Sequence, residues 1–156
     1  MNPQDYMKLA LREAQKAADK DEVPVGAVVV DATSGKVIAK AHNLSEHGTD
    51  ATAHAEILAM RKAAAKLGQN RLRDMDLYVT LEPCTMCAAA ISLMRIRRVY
   101  FGAADSKGGA IVSGVQFFSS PSCHHRPQVE SGILAEEAGR LLKDFFAAKR
   151  KNKKTS

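Results

Sequence analysis

Asp76-Leu77-Tyr78-Val79-Thr80-Leu81-Glu82-Pro83-Cys84-Thr85-Met86-Cys87 is the stretch whose reading decides the fold. Residues 76–81 are mostly apolar, β-branched or aromatic and read as a strand. Pro83 has no N–H for a strand ladder and is favoured at helix starts, so it marks the turn from strand to helix. The spacing predicts a helix over 84–94 with Cys84 and Cys87 in its first turn, three apart on one face. Unpaired backbone N–H groups at a helix start favour anionic sulfur and lower a thiol's pKa.

Working outward, residues 98–102 read as a further strand. Upstream, 53–67 is rich in strong helix formers and is stopped by Gly68. The continuous apolar run 25–31 reads as a buried strand, 33–36 as a turn and 37–42 as its hairpin partner. Residues 4–20 read as an amphipathic helix, with Met7, Ala10, Leu11, Ala14, Ala17 and Ala18 at helical spacing. The segment 43–52 is polar and irregular, and 103–132 shows no clear period. Residues 133–149 close the pattern as an amphipathic helix carrying Leu134, Ala138, Leu141, Leu142, Phe145 and Phe146 on its apolar side. Strands alternating with helices after an initial hairpin predict an α/β fold, a mixed sheet covered on both faces.

With 156 residues, 46% hydrophobic and 26% charged, the chain has the make-up of one soluble domain. No apolar run approaches the roughly 18 residues needed to span a bilayer, so no membrane association is expected. The first 20 residues lack the apolar core of a secretory signal, so a cytoplasmic location is expected. Three cysteines, two of them spaced Cys-x-x-Cys, read as metal or redox chemistry rather than a disulfide framework. The net charge of +6 is confined to the C-terminus, in Arg140, Lys143, Lys149, Arg150, Lys151, Lys153 and Lys154 against Asp144. The expected organisation is therefore a domain over 1–148 and a basic tail over 149–156. Such a tail serves either as a solvated end or as a contact for nucleic acid phosphates.

His54-Ala55-Glu56 supplies what the thiols lack. Two thiolates and one neutral imidazole leave a Zn²⁺ site formally neutral with its fourth position open to water, as in catalytic sites. A zinc ion lowers the pKa of such a water from about 16 toward about 7. Glu56, two residues past His54, points elsewhere and suits general acid/base work on that water and on the substrate. The competing readings are a redox dithiol and a closed structural zinc with Cys123, His124 or His125 as fourth ligand. A zinc-stabilised nucleic-acid-binding module without catalysis is a third, and Glu56 argues against it.

The His-x-Glu and Pro-Cys-x-x-Cys pair is the signature of the zinc base deaminases. The chain resembles the cytidine deaminase-like superfamily, and within it the bacterial tRNA-specific adenosine deaminases, over about residues 6–146. The matching stretches include 23–28, 52–57, 77–84, 97–102 and 132–137. The resemblance implies a three-layer α/β/α fold with a five-stranded mixed sheet, and a homodimer. It implies one zinc ion held by His54, Cys84 and Cys87, with Glu56 as proton shuttle. It also implies a wobble adenosine in a tRNA anticodon loop as substrate, converted to inosine with loss of ammonia. Asn43 would grip the flipped base, Asp105 would lie near the RNA backbone, and the basic C-terminal helix would help hold the stem-loop. The chain departs from that pattern at Leu44-Ser45, Asp50-Ala51-Thr52, Ala104, 114–122 and Cys123-His124-His125-Arg126-Pro127. These positions concern substrate, not zinc, and keep a free nucleobase or nucleoside (guanine, cytosine or cytidine) as the alternative.

His42 and His47 read as structural or surface residues. Cys123, His124 and His125 are expected to shape a loop, because adjacent side chains diverge. Arg95, Arg97 and Arg98 are expected to cap the preceding helix against its dipole. Phe117, Phe118, Phe145 and Phe146 read as core or dimer contacts.

Overall fold

The computed structural model describes residues 1–155; the side chains of Lys154 and Thr155, and all of Ser156, lie outside the described residues. The elements run α1 (Pro3–Asp19), β1 (Gly26–Asp31), β2 (Val37–His42), α2 (Ala55–Leu67), β3 (Met75–Leu81), α3 (Thr85–Leu93), β4 (Arg98–Ala103), β5 (Gln128–Glu130) and α4 (Ala135–Thr155). The five strands form one mixed sheet in the order β2-β1-β3-β4-β5. β1 is antiparallel to β2 and to β3, whereas β3, β4 and β5 are parallel.

Period-two alternation splits the core into two layers. Ala27 and Val29 of β1, Leu77 and Val79 of β3, and Val99 and Phe101 of β4 face α2 and α3. Val28, Val30, Tyr78 and Tyr100 face the other way, against Tyr6, Met7 and Ala10 of α1 and the start of α4. Burial on both faces is why β1 and β3 read as continuous apolar runs. Tyr78 stacks on Tyr100 at 4.2 Å between centroids, and Tyr6 lies 5.1 Å from Tyr78. α1 crosses β1 so closely that a Cβ on Gly26 would fall 2.0 Å from the Ala10 carbonyl oxygen, which only glycine avoids.

Several boundaries differ from the sequence reading. α1 begins one residue early at Pro3, behind a capping box in which Asn2 Oδ1 accepts from the Asp5 N–H and Asp5 Oδ2 accepts from the Asn2 N–H. His54 and Cys84 are the extended N-cap residues of α2 and α3, one position outside the helices expected to contain them. A fifth strand, β5, emerges from 103–132; three residues are too few to leave a readable period. α4 runs unbroken through 149–155, and Lys149 Nζ donates to Asp21 Oδ2 at 2.6 Å.

The topology places the site. β2 and β3 both run antiparallel to β1, so their carboxyl ends share one edge, and parallel β4 ends there too. The strands feeding α2 and α3, expected to be neighbours, instead stand two apart with β1 between them. That spacing, about 9.6 Å, matches the roughly 8–10 Å separation of packed helices, so both helix starts face one another across the β1 end.

Candidate functional site

At that edge a cavity of about 240 Å³ opens. Its walls come from the residues leading into β1 (Val23, Val25), the residue after β2 (Asn43), the end of β3 and the residue after it (Leu81, Glu82), the starts of α2 and α3, and the loop after β4 (Asp105, Gly108). This is the crevice at the carboxyl ends of strands where α/β sheets bind ligands.

His54 Nδ1 lies 3.6 Å from Cys84 Sγ and 3.5 Å from Cys87 Sγ. These three ligand atoms lie within 4.8 Å of one another, the one such convergent group among the described residues. Ion pairing explains the charges only in part. The Cys84 thiol is lowered to about 4 by the hydrogen bond from Cys87 and then by His54. Cys87 is pushed up by that same bond, then by burial and by Glu56. With protons as the only cations, two thiols this close cannot both ionise. A divalent cation between them removes the conflict, and two thiolates with one imidazole are the donor set zinc prefers. The residues therefore fit a zinc ion.

Glu56 lies in the first turn of α2, is 4% exposed and stands outside the convergent group. Burial raises its carboxyl pKa, and its hydrogen bond with Cys87 and the proximity of His54 only partly offset that. A carboxyl so placed holds a proton more readily than a free one, which suits a general acid/base.

Asn43 is buried beside the cavity, its backbone N–H bonded to the Val25 carbonyl at 3.1 Å. Asp105 also lines the cavity, but its Oδ1 accepts from the Lys107 and Gly108 N–H groups at 3.1 and 3.0 Å, closing its own loop. Cys123, His124 and His125 bring no second metal group among the described residues. Instead Cys123 Sγ donates to the His125 carbonyl and His125 Nε2 donates to the Ile96 carbonyl at 2.6 Å, fastening their loop under α3. Arg95 does cap α3, donating to the Ser92 carbonyl at 2.8 Å, whereas Arg97 pairs with Asp76 and Arg98 binds Gln128 of β5. His42 is structural: Lys20 Nζ donates to its Nε2, which leaves Nδ1–H for Glu13. Phe118 is core, and Phe146 is 43% exposed.

Sequence reasoning assigned no role to two buried acids. Glu82 (2% exposed) and Glu22 (fully buried) each gather backbone N–H groups from a cavity loop. Their one signal is an acid beside proline or valine at a strand edge, in Leu81-Glu82-Pro83 and Glu22-Val23-Pro24.

This fold and this donor set define a zinc-binding deaminase. The chain belongs to the family of the cytidine and deoxycytidylate deaminase zinc-binding region, whose model matches residues 1–103. It is 57% identical to a tRNA-specific adenosine deaminase of Agrobacterium fabrum over 93% of this chain and 94% of that one. It is 47% identical to the tRNA-specific adenosine deaminase of Bacillus subtilis over 97% and 92%. A solved structure from work on A-to-I editing by wobble-position tRNA deaminases superposes with a TM-score of 0.86 at 57% identity, covering 88% of this chain and 99% of that one. A guanine deaminase from Nitrosomonas europaea superposes with a TM-score of 0.82 at 26% identity, covering 94% and 85%.

Proposed function

We propose that this chain hydrolyses the exocyclic amine of adenosine to give inosine and ammonia, and that its substrate is the wobble adenosine of a tRNA anticodon loop. The observation that carries the chemistry is the convergence of His54, Cys84 and Cys87, with His54, Cys84 and Glu56 lining one cavity. Zinc, when bound, supplies the Lewis acidity that makes water nucleophilic at neutral pH. Glu56 would take one proton from that water and give it to the ring nitrogen as the oxygen bonds to the carbon bearing the amine, then pass the new hydroxyl's proton to the amine, so that the carbon–nitrogen bond breaks and ammonia leaves. The buried walls keep bulk water off the reacting carbon. Asn43 holds the base from the β2 side, and Asp105 orders the loop beside the nucleotide's backbone.

The choice of RNA is supported by identity of 57% to one tRNA deaminase over nearly the whole chain, against 26% to the guanine enzyme. The basic face of α4 supports it too, because Lys149, Arg150 and Lys153 line a second groove that shares Val23 with the cavity. A loop adenosine is already partly unstacked and is cheap to flip. In this reading residues 1–148 form the catalytic domain and 149–156 a basic, RNA-facing end. The protein works in the cytoplasm, where tRNA is processed, as a homodimer with one zinc per subunit. No helix among the described residues is long and apolar enough to cross a membrane.

The deciding experiment offers the zinc-loaded protein an anticodon stem-loop and a panel of free bases and nucleosides, with ammonia release as readout. Inosine formed only in the stem-loop is the expected result. Ammonia from guanine, cytosine or cytidine, with the RNA untouched, would overturn the assignment.

A further inference from the structure

The loop that follows β4 has no regular structure over residues 104–113, yet two of its residues, Asp105 and Gly108, line the cavity. Five hydrogen bonds to one buried carboxylate hold it. Glu82 Oε1 accepts from the Asp105 N–H and the Ser113 hydroxyl, both at 2.9 Å. Glu82 Oε2 accepts from the N–H groups of Ile111, Val112 and Ser113 at 3.0, 2.9 and 3.0 Å. Gly109 lies so close that an added Cβ would fall 2.4 Å from the Glu82 carboxyl carbon. The backbone on either side joins the same arrangement: the Glu82 N–H donates to the Ala103 carbonyl and the Pro83 carbonyl accepts from the Ala110 N–H, each at 2.9 Å. The next residue is Cys84.

We propose that Glu82 is a positioning residue that sets the loop wall of the cavity relative to the metal ligands, and thereby governs substrate binding. One dipeptide, Glu82-Pro83, holds the wall through its side chain and carbonyl and delivers the first sulfur ligand through its chain direction. The wall and the metal site thus share one frame. The inference rests on the deaminase reading of the site, not on which adenosine or base is the substrate.

Glu82→Gln keeps the size and removes one acceptor atom. Its least costly orientation turns the new NH₂ toward the Oε1 side, where the Ser113 hydroxyl can reverse and accept. The Asp105 N–H then faces a donor, and that end of the loop is released. Gly109→Ala strains the same contact from the opposite side while leaving the carboxylate intact. The test uses both variants of the full chain, loaded with zinc. Amide hydrogen exchange should quicken by about tenfold or more over 104–109 and stay unchanged over 85–93. Zinc content should remain one per chain. KM should rise by about tenfold or more with kcat within about threefold of the parent. Loosened exchange with an unchanged KM would overturn the proposal, as would loss of zinc and thermal stability in both variants with KM unmoved. If the parent protein leaves the stem-loop untouched, the RNA reading fails alone. KM is then measured on whichever panel compound releases ammonia.

Discussion

Glu56 and Glu82 are buried carboxyls at the same sheet edge, driven in opposite directions. Burial dominates at Glu56 and raises its pKa, so it can exchange protons. At Glu82 burial is the largest single influence as well, but the N–H groups of Asp105, Ile111 and Ser113 together outweigh it and hold the carboxylate below its ordinary range. One acid is left able to take up a proton and the other is fixed as an anion, which divides chemistry from architecture. Replacing Glu56 with Ala should therefore leave zinc bound at one per chain and reduce kcat by about 10²–10⁴-fold. Metal analysis beside a turnover assay checks both halves, and near-normal turnover would remove Glu56 from the mechanism. The catalytic acid was legible because it sits in a motif with a ligand two residues away. Glu82 was not, since a lone buried acid has no periodicity and its partners lie 23 to 31 residues downstream in an irregular loop.

Among the elements, the connection 43–52 repeats the device with another carboxylate. Glu22, fully buried ahead of β1, accepts from the Glu46 N–H at 3.1 Å and from the His47 N–H and ring Nδ1, both at 2.6 Å. Burial alone would raise its pKa, but the His47 and Glu46 amides outweigh it and lower the pKa beneath its ordinary 4.5. A depressed folded-state value contributes stability above the ordinary value, and that contribution is lost as pH falls through the folded one. Glu22→Gln should cost about 2 kcal/mol at pH 7. It should also flatten the dependence of Tm on pH below 4.5 relative to the parent. Thermal melts from pH 7 to pH 3 measure both, and parallel curves would show that Glu22 carries no such charge. Long elements such as α1, β1, β3 and α3 were legible from apolar period and from Pro83 and Gly68, which mark local backbone requirements. β5 was not, because its place is set by pairing with β4 across Val99–Val129 rather than by its own three residues.

At the scale of the whole molecule, the two kinds of information fall in different regions. The family match ends at residue 103, where β4 closes, and it contains every metal ligand and Glu56. The loop on Glu82 and the basic helix α4 lie beyond it. Deleting residues 149–156 removes five positive charges of the net +6. RNA affinity should fall most at low salt, and the slope of log K against log salt should become shallower by about one unit or more. A filter-binding titration across salt concentrations checks this, and an unchanged slope would leave the helix end a solubility feature. The tyrosine stack adds a consequence for optical work. The chain has three tyrosines and no tryptophan, and Tyr6, Tyr78 and Tyr100 all lie in that one cluster under α1. Its intrinsic ultraviolet emission is thus a single-site reporter of how α1 docks on the sheet, and it looks away from the face that carries the ligands. Metal loading and substrate entry leave this tyrosine emission unchanged unless they move the far side of the sheet.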